Sequence, residues 1–259
     1  MKRNYHTHTP LCGHATGTVD EYVRKAIEGG LTVLGFSDHT PYTYPDGISS
    51  PSKMSLAETP LYFETVSEAR ERYRDHIEIH IGFETEYYPA YWDKLIDFYR
   101  DYPVEYLLYG GHFIGNEGEA DCFRAFDVTE DPDRLDRYVE HTLRAMQTGR
   151  FSALAHPDVI NIIGDEDLYR QQMRRIILEA KRLSLPLEVN MHGMRDGRHY
   201  PNPIFWEEVS RLGATAYFGM DCHAVAHVAD RVEIEQAHRF ADRYSLNVVD
   251  ELRLISPNL

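Results

Sequence analysis

In six places along the 259-residue chain, an apolar run that reads as a β-strand ends in a histidine or a carboxylate. The opening Tyr5-His6-Thr7-His8, followed at once by Cys12-Gly13-His14, is the first; later runs end in Asp38-His39, Glu84, His112, His156 and Asp221-Cys222-His223. Side chains alternate faces along a strand, so His6 and His8 point the same way and two imidazoles can meet one metal ion. Helix-like segments separate the runs, the alternation expected of an α/β protein with parallel strands. Polar groups gathered just after parallel strands are the pattern of a (β/α) barrel, whose active site is built at the carboxyl ends of its strands. The length is close to the roughly 250 residues of such a barrel, so one domain spanning 1–259 is expected.

In chain order, Thr18-Val19-Asp20-Glu21 combines a cap with a Glu three residues on and predicts a helix ending near Gly29-Gly30. A strand over Thr32 to Phe36 delivers Ser37-Asp38-His39, and Thr40 to Met54, rich in Pro, Tyr, Ser and Gly, reads as a loop of functional length. A helix over Leu56 to Arg74 leads into the strand Ile77 to Glu84. There Ile77, Ile79 and Ile81 share one face, and Glu78, His80, Gly82 and Glu84 the other. The outer face of a barrel packs against helices, so the polar set points inward with Glu84 at the carboxyl end. Further strands are predicted over Tyr106 to Tyr109, Ser152 to Ala155, Leu187 to Asn190 and Thr215 to Gly219, which makes seven strand–helix units. The remaining helices fall over Tyr91 to Arg100, Leu135 to Thr148, Leu168 to Leu183, Ile204 to Leu212 and Arg231 to Arg243. Ile114 to Asp133 and Met191 to Pro201 read as long loops, and a short tail closes the chain.

The candidate metal ligands are His6, His8, His14, His39, Glu84, His112, His156, Asp221 and His223. A single histidine is more often structural than a ligand, but scattered core histidines have no reason to collect after separate strands beside Glu84 and Asp221. Imidazole and carboxylate donors without thiolate suit Zn, Mn or Fe. At four to six ligands per ion, nine donors imply two or three ions. The other histidines, His76, His80, His141, His192, His199, His227 and His238, mostly lack this placement, although the loop carrying His192 and His199 should face the site. Cys12 and Cys222 are assigned to packing.

A net charge of −15, from 42 acidic against 27 basic residues, disfavours DNA or RNA as a partner. A small anionic substrate is compatible with it, because divalent ions invert the local field. Three cysteines fit a reducing compartment, and no apolar h-region or run of about 18 apolar residues occurs, so a cytoplasmic location without a membrane span is expected. The oligomeric state is left open.

His6-Thr7-His8, His14, Ser37-Asp38-His39, Gly82-Phe83-Glu84, His112, His156-Pro157 and Asp221-Cys222-His223 resemble, in order and over nearly the whole chain, the successive motifs of the polymerase and histidinol phosphatase (PHP) family. Ser37-Asp38-His39-Thr40-Pro41, Gly111-His112-Phe113 and Glu188-Val189-Asn190 with Gly193 and Arg195 resemble its monofunctional histidinol-phosphate phosphatases. The resemblance implies a distorted (β/α)7 TIM-like barrel, a trinuclear metal centre and hydrolysis of L-histidinol phosphate in histidine biosynthesis. It assigns His6, His8, Glu84 and Asp221 to one ion, Glu84 as bridge with His112 and His156 to a second, and His14, His39 and His223 to a third. Glu84, Asp221 and His223 would then be catalytic through the ions, which activate water and clamp phosphate. Arg195 would be catalytic as a guanidinium fork on the phosphate, with Arg198 and His192 as further substrate-binding residues. Asp38 would orient an imidazole. Gly110-Gly111-His112 is contracted relative to the family's approach to this histidine, and Met220 and Cys222 replace small residues beside Asp221.

Other readings start from the same residues. A PHP phosphoesterase could take another small phosphomonoester or a nucleotide, a nuclease would need a basic track, and an amidohydrolase usually has a lysine where Glu84 stands. A non-catalytic metal-binding regulatory protein would have lost some of these ligands.

Overall fold

The computed structural model describes residues 1–44 and 50–258. Its elements run β1 (Arg3–Asn4), α1 (Val19–Glu28), β2 (Val33–His39), α2 (Thr59–Tyr73), β3 (Glu78–Thr85), α3 (Trp92–Tyr99), β4 (Tyr106–Gly110), β5 (Phe113–Ile114), β6 (Phe123–Arg124), α4 (Pro132–Gln147), β7 (Ala153–Ala155), α5 (Glu166–Leu183), β8 (Leu187–Asn190), α6 (Met191–Arg195), α7 (Pro203–Leu212), β9 (Thr215–Gly219), α8 (Arg231–Arg243) and β10 (Asn247–Val248). Local chemistry sets several boundaries. Thr18 and Glu21 cap α1 reciprocally, Asp165 caps α5, and Asn202 caps α7 ahead of Pro203 at its first position. Gly213 ends α7 at a φ of 64°, a left-handed conformation that glycine adopts without a Cβ penalty.

Eight parallel strands form one sheet in the order β1-β2-β3-β4-β7-β8-β9-β10. The sheet curls until its edges approach: a parallel bridge joins Thr7, just past β1, to Cys222, just past β9, and the His8 amide donates to the Cys222 carbonyl at 3.0 Å. At the opposite end β9 pairs instead with β10, in register Asn247 with Thr215. The result is the distorted seven-stranded barrel expected, with a two-residue eighth strand that the tail was not read to contain. Asp250 behind β10 accepts from the Lys2 amide at 3.0 Å, which sets the tail beside the first strand.

Ile77, Ile79 and Ile81 pack outward with Tyr22, Val23, Tyr62 and Val66 from the flanking helices. The interior is plugged by a separate cluster that includes Tyr5, Tyr106, Tyr217 and Leu252. The Tyr106 hydroxyl donates to the Tyr5 carbonyl at 2.7 Å, and a Cβ at Gly82 would stand 2.5 Å from the Tyr106 ring, so glycine there makes room for the plug. Two predicted loops hold structure of their own. The second contains the antiparallel pair β5–β6, and the third opens with α6, whose cap is Asn190. Residues 45–49 of the first predicted loop lie outside the described residues. Among the described residues, no helix is long and apolar enough to cross a membrane.

Candidate metal centre

Strand register brings the sequence-predicted donors together. His39 ends β2 directly beside Glu84 of β3, and His112, His156 and Asp221 each follow the end of a neighbouring strand. Glu84 sits at the middle of the cluster. Its Oε1 lies 2.8 Å from His156 Nε2 and 3.5 Å from His112 Nε2, while its Oε2 lies 3.1 Å from His39 Nδ1, 3.3 Å from His6 Nε2 and 3.5 Å from His8 Nε2. Asp221 Oδ1 lies 3.3 Å from both His8 Nε2 and His223 Nδ1. The His14 ring stacks 4.6 Å from His223. Ligand atoms within 4.8 Å of one another form several trios, among them His6, His8 and Asp221; His39, Glu84 and His112; and Cys12, His14 and His223.

This donor set fits divalent cations. The Nε2 atoms of His6 and His8 are only 3.1 Å apart, and Asp221 Oδ1 and His223 Nε2 are buried without a hydrogen-bond partner. Orphaned buried polar atoms are costly unless something pairs with them, and a shared ion would do so. The protonation states of Glu84, Asp221, His39 and His223 favour the same end. Burial opposes charge throughout, yet the imidazoles of His112, His6 and His39 hold Glu84 well below the usual carboxylate range, and His6, His192 and His8 do the same for Asp221. Burial lowers His39 to about 3 and holds His223 far below its ordinary value, which leaves both rings neutral with lone pairs to donate. His6 and His8 run the other way in the metal-free chain: against burial, Glu188, Asp221 and Glu84 raise His6 well above normal, and Asp221 and Asp38 raise His8 to about 9, so a bound ion would take the place of a proton on each ring.

A ring of supporting groups orients the donors. Asp38 Oδ1 lies 3.4 Å from His8 Nδ1. Two buried glutamates not singled out as orienting groups do the same. Glu86 Oε1 is 2.8 Å from His112 Nδ1, and Glu188 Oε1 is 2.7 Å from His6 Nδ1, while Glu188 Oε2 accepts from the His156 amide at 2.8 Å. Both carried a signal: Glu86 stands two residues after Glu84, just past the end of β3, and Glu188 shares a strand face with Asn190. Asn190 Nδ2 donates to Asp221 Oδ2 at 3.0 Å. Gly110 leaves space for the central carboxylate, since a Cβ there would stand 2.5 Å from Glu84 Oε1.

The cluster forms the floor of a cavity of about 800 Å³. Its wall includes His192 and Arg198, but not Arg195. Arg195 belongs to α6 and shares a helical face with buried Met191; its Nη1 pairs with Glu233 of α8 at 3.1 Å, away from the cavity. In this structure Arg195, expected to fork the phosphate, is thus paired with α8 and does not border the cavity. Arg198, beyond the helix, donates to the Tyr200 hydroxyl at 3.0 Å and to Asp196 at 3.2 Å. His192 Nδ1 lies 3.3 Å from Asp221 Oδ2. Lys53, unremarked in the sequence, also borders the cavity, with its ammonium against Glu117 and the hydroxyls of Tyr44 and Tyr88.

A curled parallel barrel with imidazoles and carboxylates converging after its strands defines the class of metal-dependent barrel hydrolases. Within that class this chain belongs to the PHP domain family, whose model matches residues 4–192. It is 27% identical over 243 residues to a probable histidinol-phosphatase of Deinococcus radiodurans, covering 87% of this chain and 88% of that protein. A probable histidinol-phosphatase of Schizosaccharomyces pombe is 26% identical over 248 residues, covering 86% and 81%. Among solved structures, the histidinol phosphate phosphatase of Lactococcus lactis, complexed with zinc, L-histidinol and phosphate, superposes with a TM-score of 0.76 at 19% identity over 99% of this chain and 97% of that one. A putative histidinol phosphatase of Listeria monocytogenes gives 0.70 at 22% identity over 88% and 97%.

Proposed function

We propose that this protein is a metal-dependent phosphomonoester hydrolase acting on L-histidinol phosphate, releasing L-histidinol and phosphate. The observation that carries the reading is the convergence of the donors on the two oxygens of Glu84. In this reading His6, His8, Glu84 and Asp221 hold one ion, Glu84, His112 and His156 a second, and His14, His39 and His223 a third. Bound divalent ions lower the pKa of water and neutralise phosphate oxygens. The chain's own contribution is to fix that geometry. Glu188, Glu86 and Asp38 hold three imidazoles by their far nitrogens, and Asn190 and His192 hold Asp221 by its second oxygen. Arg198 supplies a guanidinium on the cavity wall for the outer phosphate oxygens. The chain is read as one domain over 1–259, and its three free cysteines suit a cytoplasmic location.

The names of the relatives support histidinol phosphate over other phosphomonoesters. The test is phosphate release from histidinol phosphate, other small phosphomonoesters, nucleotides and a phosphodiester, using protein of measured metal content. Preferred turnover of histidinol phosphate by protein holding two or three ions is expected. Protein with one ion or none, inactive on every ester after Mn, Fe or Zn is supplied, would sink the reading.

A further inference from the structure

The cavity has two chemically different ends. Beside Gly13 and His14 it is bordered by the segment Ser50 to Ser52, while beyond His112 it is bordered by Phe126, Val159, His199 and Tyr200. The second end is a built wall. The Asn161 amide donates to the Ala125 carbonyl at 2.8 Å and the Asn161 side chain donates to the Phe126 carbonyl at 3.2 Å, so the loop after β7 is tied to the segment carrying Phe126. Phe126 is one of the few large apolar side chains left exposed, at 37%, and its ring stands 6.5 Å from that of His112. The Tyr200 ring is 5.8 Å from His156, and His199 stands edge-on to Tyr200 at 5.1 Å.

His199 is the one imidazole on this wall outside the metal cluster, and its tautomer follows from its partner. Nε2 lies 2.7 Å from the Val159 carbonyl, which can only accept, so Nε2 carries the proton. Burial lowers the ring's pKa, which keeps it neutral near pH 7. Nδ1 then presents a lone pair, and no protein donor among the described residues reaches it. An aromatic slot with one fixed acceptor suits a flat ring that carries an N–H.

We propose that Phe126, Val159 and Tyr200 form a slot for a nitrogen heterocycle in the substrate's alcohol portion, and that His199 determines specificity by accepting that ring's N–H at Nδ1. The inference rests on the phosphatase reading and narrows it to one end of the cavity. The end beside His14 offers the hydroxyls of Ser50 and Ser52 and no aromatic surface, and the Lys53 ammonium on the cavity wall is already held by Glu117.

The test compares kcat/KM for histidinol phosphate with that for O-phosphoethanolamine, which has the amine and the phosphate but no ring. His199→Phe keeps the aromatic surface and removes the acceptor, and should raise KM for histidinol phosphate at least tenfold more than for O-phosphoethanolamine, with kcat little changed. Equal losses on both esters, or no loss on either, would overturn the inference while leaving the phosphatase reading intact. Because the variant also loses the bond to Val159, the unaltered enzyme is assayed with the two ring N-methyl isomers of histidinol phosphate. At least one should fall tenfold in kcat/KM, and two isomers turned over like the parent would overturn the inference. If the unaltered enzyme hydrolyses no phosphomonoester at all, both readings fail together.

Discussion

Both oxygens of Glu84 stand beside candidate metal-ligating imidazoles, whereas the second oxygen of Asp221 faces His192 and Asn190. The amide isostere of Glu84 keeps the shape but loses the charge that two ions would share. Glu84→Gln should therefore release more than one ion per chain and cost more rate than His14→Ala, which removes a single peripheral ring; equal losses of metal and kcat/KM would refute the bridging role. The two arginines of the third predicted loop should separate in the same kind of experiment. Arg198→Ala should lower kcat/KM for a phosphomonoester by about 1–3 kcal/mol with metal content unchanged, the range for one charge-assisted contact to a buried anion. Arg195→Ala should instead lower the melting temperature, through loss of the Glu233 pair between α6 and α8, with less effect on rate. A larger rate loss for Arg195→Ala than for Arg198→Ala, at unchanged melting temperature, would show that Arg195 turns toward substrate.

Between strand and helix, the informative contact is that of β4 with α4. His141 of α4 is buried, with Nδ1 3.2 Å from the Tyr109 hydroxyl and Nε2 unpartnered. Burial, aided by Arg144, lowers its pKa to about 4. Between about pH 6.5 and 4 the unfolded chain therefore binds a proton that the folded chain refuses, so stability is full above 6.5 and is lost as pH falls toward 4. The loss from this group is about 2–4 kcal/mol. Urea unfolding at pH 7.5 and 5.0 should show a smaller pH difference for His141→Gln than for the parent chain; an unchanged difference would remove His141 as its source. How far such elements were legible depends on how local their causes are. The seven strands and the capped helices announce themselves through alternation, apolar runs and capping residues. β10 does not, because two residues of no strong pattern become a strand only through the open edge of β9. The helix α6 is five residues long and contains Gly193, too short to show a helical period, yet it turns Arg195 toward α8 and leaves Arg198 on the cavity. The cluster of candidate donors was legible because strand ends place it, whereas the cations near the cavity sit on loops whose course is set by tertiary contacts.

Across the whole molecule, the site and the closure of the barrel are one structure. Among the described residues, the segments that follow β1 and β9 meet through one bridge, Thr7 to Cys222, and the residues flanking that bridge are His6 and His8 on one side and Asp221 and His223 on the other. Asp221 holds a left-handed backbone, φ 48°, unfavourable for a residue with a Cβ and sustained by the contacts around its carboxylate. Ions shared between His6, His8 and Asp221 would staple the seam that the sheet itself leaves nearly unpaired. A ligand present at about 1,000 times its dissociation constant stabilises the native state by about 4 kcal/mol, or roughly 8–16 °C in melting temperature for a chain of this size. Chelation should therefore lower the melting temperature by at least that much, and amide hydrogen exchange should rise first over residues 4–9 and 219–224, with β2 to β4 unchanged. Thr7→Pro provides an independent check, since it removes the amide that donates to Ser37 Oγ of β2 at 3.3 Å and so loosens, from its far side, the segment that carries the bridge to Cys222. It should weaken metal retention without touching a ligand. Uniform exchange across the sheet on chelation, with no preference for the seam, would mean that the ions sit within an already closed barrel and do not hold it shut.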